Sequence, residues 1–169
     1  MLSGLRRSHG SRITVSIPSP ESVIVANNLG LVWRDDTPRL ASASKDGTVR
    51  IWVVNTGRTE HVLSGHKDSV SCLRWGGTDL IYTGSHDKSI RVWDAVKGTL
   101  VSQMTTHGHW VNHIALSSDH ALQTGFFDHT KDIPATDEGK RLKAKERFEN
   151  AAKIQGKVAE RFVSASKFK

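Results

Sequence analysis

The sequence holds a single cysteine, Cys72, so it can form no internal disulfide, which suits a reducing compartment. Set in an alternating apolar run, that cysteine reads as a small buried hydrophobe rather than a reactive thiol. No apolar run approaches the length that spans a bilayer. A hydrophobic content of 37% with mean hydropathy −0.40 places the chain among soluble proteins with no membrane partner. Missing too are a phosphate-binding Gly-Lys loop, an HExxH zinc motif, a paired-carboxylate site and a dinucleotide fingerprint. The expectation is a non-catalytic protein with no cofactor, no metal and no small-molecule substrate. Acid is lacking from the first twelve residues, which carry three arginines. Residues 137–169 carry ten Lys/Arg against five Asp/Glu, while 11 basic and 12 acidic residues lie between these flanks. The formal excess of +7 therefore sits at the two ends. An RNA contact made by charge would be made there; solvated surface is the plainer reading.

What is present is a repeat. From Gly65 to Asp94 the chain reads GHKDSVSCLRWGGTDLIYTGSHDKSIRVWD. Short apolar alternations through Val70–Trp75, Leu80–Tyr82 and Ile90–Trp93 are split by turns at Gly76-Gly77 and Ser85-His86-Asp87. Period-two runs of this length between Gly and Asp turns predict short antiparallel strands. Asp46 and Asp87, Ser44 and Ser85, Trp52 and Trp93, His66 and His107, and Val70 and Val111 each stand 41 residues apart. A Gly-His opening, a Trp-Asp close and a period near 40 mark the WD repeat, one four-stranded propeller blade.

The expected fold is therefore all-β: a partial WD40 β-propeller of about two to three blades, with an inserted α-helix near the C-terminus. Residues 1–24 form an atypical or disordered Arg/Ser-rich leader. Blade units run over 25–60, 61–101 and 102–135. In the first, Leu29, Leu31 and Trp33 alternate before the turn at Asp35-Asp36-Thr37-Pro38. In the third, the period carries through Leu122-Gln123-Thr124-Gly125 to Asp128. A basic helical insertion follows over 136–157, capped by Thr136 with Asp137 and Glu138 in its first turn and with Gly156 as its stop. Residues 158–169 hold one truncated strand, where Lys167-Phe168-Lys169 replaces the turn aspartate.

Two polar constellations need weighing. His66, Ser85 and Asp87 suggest a hydrolase triad, in which histidine deprotonates serine and aspartate orients histidine. Ser44, Asp46 and Trp52 repeat the pattern one unit earlier, however, and architecture repeats where catalysis seldom does. The expectation is that His66, Ser85, Asp87 and Trp93, like Ser44, Asp46 and Trp52 before them, form a buried structural chain. In it Asp87 accepts from His66 and a Ser/Thr hydroxyl links His66 to the Trp93 indole, with His107 as its third-unit member. His107, His109 and His113 are the second constellation. His109 and His113 would stand about 13 Å apart on one strand, with no acid or cysteine near, which disfavours zinc. Trp110 precedes the inward Val111, where blades expose residues beside the central channel; exposed, it is a binding hot spot, and packed, it is ordinary core. Lys45, His86 and Phe127 each precede a turn aspartate and should line the same face. Candidate partner-binding residues are thus Trp110, His109, Lys45, His86 and Phe127, with Lys140, Arg141, Lys143 and Arg147 on the helix.

Several strings are more particular than the repeat. PRLASASKDGTVRIW (38–52), CLRWGG (72–77), SHDKSIRVW (85–93), HGHWVNHIALSSDHALQTGFFDHT (107–130) and the later ERFVSAS resemble the Notchless family of WD-repeat factors in large-subunit ribosome assembly. The resemblance covers roughly residues 29–166. It implies a non-catalytic scaffold in the nucleolus and nucleus, binding proteins of pre-60S particles and, through rims and basic helix, rRNA. The family's ubiquitin-like domain engages the midasin ATPase; these 169 residues hold no such domain, so that contact is not carried over. Residues 1–24 do not look like the family's preceding blades, and the middle of a propeller, as in a fragment, is the expectation. The alternative is a generic WD adaptor in signalling or ubiquitin-ligase substrate recognition, which would be cytoplasmic.

Overall fold

The structure, a computed structural model, describes residues 24–27, 38–127 and 133–167. The strand expected at 29–33, Asp128 and the leader before residue 24 lie outside these. In chain order the elements are β1 (Ile24–Asn27), β2 (Arg39–Ala43), β3 (Val49–Val53), β4 (Arg58–Leu63), β5 (Val70–Trp75), β6 (Leu80–Ser85), β7 (Ile90–Asp94), β8 (Thr99–Met104) and β9 (Val111–Leu116). Then come α1 (Asp119–Thr124), α2 (Asp137–Ala152), the short β10 (Lys153–Ile154) and β11 (Lys157–Val158), and β12 (Phe162–Ser166).

Two four-stranded antiparallel sheets, β1-β2-β3-β4 and β5-β6-β7-β8, are consecutive blades. Tight turns allow this order: Asp46-Gly47 joins β2 to β3, and Lys88, at φ 70°, lies in the turn between β6 and β7. Strand alternation then divides the apolar side chains between two seams. Leu73, Trp75, Ile81 and Trp93 pack with Ala43, Val49, Ile51 and Leu63 of the first blade. Cys72, Tyr82, Ile90 and Val92 pack the other way, on Val111, Ile114 and Leu116 of the third unit. Cys72 is a buried free thiol whose pKa burial pushes up, as a core residue requires. Gly84 is needed at this second seam, because a Cβ there would lie 2.6 Å from Val111 and 2.7 Å from the Cys72 sulfur.

The third unit differs from the sequence expectation. Leu122-Gln123-Thr124-Gly125, through which the period carries, fall at the end of the helix α1. The strand that pairs with β9 is β12, with Ile114 opposite Ser164 as Leu73 is opposite Thr83. The long excursion between β9 and β12 is therefore inserted between the first and second strands of the blade. The match of Leu122, Thr124 and Gly125 to Ile81, Thr83 and Gly84 is coincidental in structure, since Asp119 accepts from the Leu116 amide and starts a helix there. The expected helix is present as α2, where Thr136 Oγ1 accepts from the Gly139 amide. It buries Ala144, Phe148 and Ala152 and ends earlier than 155. Gln155 and Gly156, both at positive φ, instead turn the chain between β10 and β11.

Candidate functional site

The sequence singled out a buried clamp and a rim around it. In the second blade the clamp is complete. The His66 Nδ1 lies 2.9 Å from Asp87 Oδ2, and its Nε2 lies 2.8 Å from Thr83 Oγ1. The Trp93 indole N–H donates to the same hydroxyl at 2.9 Å. A carboxylate only accepts, so Nδ1 carries the hydrogen and Thr83 donates to Nε2. Burial pushes the His66 pKa down despite the Asp87 charge, and the Asp87 acceptor on Nδ1 decides which ring nitrogen carries the hydrogen. Burial alone would raise the Asp87 carboxyl, but hydrogen bonds from Ser89, the Lys67 amide and His66 outweigh it and hold it well below the usual range.

The bridging hydroxyl is thus Thr83 and not Ser85, which corrects the sequence reading. Ser85 donates to the Asp68 carbonyl at 3.0 Å and accepts from the Asp87 amide at 3.1 Å, so it shapes the turn. The same shift holds in the first blade, where Trp52 donates to Ser42 at 2.8 Å while Ser44 accepts from the Asp46 amide. Asp46 accepts from Thr48 at 2.8 Å and 2.7 Å; among the described residues no histidine reaches it. In the third unit His107 bonds Ser164 at 2.8 Å, which places Ser164 as the counterpart of Thr83. A triad is not assembled: Ser85 does not reach His66, and Thr83 is fully buried with its hydroxyl already shared.

The rim lies at the turn end of the blades. The His86 amide donates to the Ser69 carbonyl at 2.9 Å, and the Lys167 amide to the Trp110 carbonyl at 3.1 Å. Lys167 therefore holds in the third unit the place His86 holds in the second and Lys45 in the first. Phe127 does not; it follows α1, within the insertion, and is 56% exposed there. The signal that finds Lys167 is the tetrapeptide Ser-Ala-Ser-Lys, which occurs at 42–45 and again at 164–167. Trp110 is both packed and exposed. Its ring stacks on His86 across the seam at 4.4 Å and 17°, with His109 at 5.1 Å, yet 42% of the residue is open.

The helix residues divide. Arg147 turns inward and donates to the carbonyls of Gly125 and Phe127, tying α2 to the end of α1. Lys140 pairs with Asp137 at 2.8 Å and lies 5.9 Å from the Phe126 ring centroid. Arg141 is exposed and Lys143 half-buried. His113 is exposed opposite Ala165 and joins neither group.

The family pattern described as WD domain, G-beta repeat, matches residues 8–53 and 57–94 and so ends before the unit that the insertion splits. Ribosome assembly protein 4 of Chaetomium thermophilum is 78% identical over 135 residues, 80% of this chain and 26% of that protein. The Saccharomyces cerevisiae protein of the same name is 47% identical over 137 residues, 80% of this chain and 27% of that one. Protein Notchless of Drosophila melanogaster is 48% identical over 94 residues, 56% of this chain and 19% of that one. The chain spans about a quarter of the length of the curated relatives it matches. By its blades, its clamp and this identity, the chain belongs to the Notchless and ribosome assembly protein 4 family of WD-repeat proteins.

Proposed function

We propose that the chain is a non-catalytic scaffold in assembly of the large ribosomal subunit, acting in the nucleolus and nucleus. It would hold pre-60S proteins, and rRNA beside them, through its rim and inserted helix. The observation that carries this reading is the 78% identity to a ribosome assembly protein over 80% of the chain. An identity that high over so much of the chain leaves little room for a different surface chemistry. The clamp supports the scaffold part, because its histidine and hydroxyl are consumed in holding strands together.

The inserted helix supplies the test. Exchanging Lys140, Arg141, Lys143 and Lys145 for glutamine removes charge while leaving the inward Arg147 and buried Phe148 in place. Co-sedimentation of the chain with pre-60S particles should fall about tenfold, on the scale of a few lost charged contacts at an interface. Undiminished co-sedimentation would take the helix out of the interface, and a parent chain that never co-sediments would sink the assembly reading itself.

A further inference from the structure

The seam between the second blade and the third unit ends in an aromatic surface that the clamp does not use. Trp110 is held there by its backbone: its amide donates to His109 Nδ1 at 2.8 Å, and its carbonyl accepts from Lys167. One face of the indole lies on His86. The ammonium of the exposed Lys167 stands 5.9 Å from the ring centroid, so the ring already accepts a surface cation. Exposed Lys45, Lys67 and Lys88 lie at the same end of the blades, beside the turns that carry Asp46, Asp68 and Asp87. Each of those carboxylates is turned onto donors of its own turn or clamp, leaving the ammonium groups to project.

We propose that this rim binds single-stranded RNA. One unpaired base extends the His86–Trp110 stack by displacing Lys167 from the indole, and the lysines take the adjoining phosphates. The inference rests on the ribosome-assembly reading and names its RNA-contact site. Charge at this end of the blades is modestly positive, four lysines and Arg50, which reaches Asp46 at 3.9 Å, against three aspartates, so stacking supplies the larger share of affinity and salt the smaller dependence. That balance favours RNA over an acidic peptide, which brings charge but no flat ring to continue the stack.

Fluorescence anisotropy of a labelled oligouridine with the full chain tests it. Trp110→Ala should weaken binding about tenfold, the factor one lost base stack implies, while Trp110→Phe keeps it within about threefold. Lys167→Ala should lower the salt slope by about one. Lys153→Ala with Lys157→Ala, on the hairpin after α2, should change nothing. Photocrosslinking in the unaltered chain reads the site even if Trp110→Ala fails to fold, and uridine adducts are expected within residues 107–113. Adducts confined to α2, unchanged affinity in a folded Trp110→Ala, or equal competition by a glutamate peptide would overturn the proposal. Co-sedimentation with pre-60S particles is read separately. Particle binding that survives while the rim adducts are absent fails this inference alone.

Discussion

At the scale of single residues, Thr83 carries most of the second blade's polar order. It is fully buried, and the His66 ring from the β4–β5 connection and the Trp93 indole from β7 meet on its one oxygen. Thr83→Val keeps the shape and removes the hydroxyl, leaving His66 Nε2 and the Trp93 indole N–H buried without partners. An orphaned buried polar group costs about 1–3 kcal/mol, so the loss should be about 3 kcal/mol in a denaturant melt. Ser42→Ala should cost nearer 1 kcal/mol, because it orphans one donor on the half-buried Trp52. Equal losses at the two positions would contradict the clamp hierarchy. His66 adds a pH dependence whose sign is fixed. Its folded-state pKa lies below 6.5, so in that window the unfolded chain binds more protons and stability rises with pH. The melting temperature should therefore drop as pH falls from about 7 toward 5, and His66→Gln should flatten that slope.

At the scale of elements, the insertion is seated on the second blade by two glycines. A Cβ on Gly77 would run into the Phe148 ring of α2, and one on Gly76 into the Glu160 carboxylate. Glu160 accepts from Ser118 Oγ and from the Gly77 amide, closing the excursion onto the turn between β5 and β6. Burial raises its pKa, and its charge, after burial itself, helps push the Tyr82 pKa up to about 12. Gly77→Ala should cost about 1–3 kcal/mol by overpacking, and faster hydrogen exchange should appear in α2 before β5–β8. Loss confined to the blade strands, with α2 still protected, would refute the seat. This element also marks what the sequence could and could not show. The 41-residue period exposes two blades because each strand and turn contributes one anchor at a fixed place. An insertion between strands breaks the count, and a chance Leu-x-Thr-Gly then imitates the missing strand. The second strand was still readable in Ser164-Ala165-Ser166, but only by setting its tetrapeptide beside Ser42–Lys45. The repeat position put Trp110 where blades expose residues, but its stack on His86 was not readable, since that ring arrives from another blade.

At the scale of the molecule, the described sheets end in open edges. The β9–β12 pair has two strands where its neighbours have four, and Val163 on β12 is 68% exposed. The outer strand β8 shows Leu100 at 45% and Val101 at 57%. Ser164 makes the comparison sharper: Thr83 serves both a histidine and an indole, whereas Ser164 among the described residues serves only His107. An edge strand with free N–H and C=O groups and apolar side chains is a template for another strand, and charge on the edge is what discourages pairing. The isolated chain should therefore associate as its concentration rises, seen as a concentration-dependent sedimentation coefficient. Val163→Lys places a charge on that edge without touching the clamp, and should cut the associated fraction several-fold while leaving the melt of the second blade in place. A single monomeric species at every concentration, with a sharp two-state melt, would show that the β12 edge is not sticky and that three units hold together without closure.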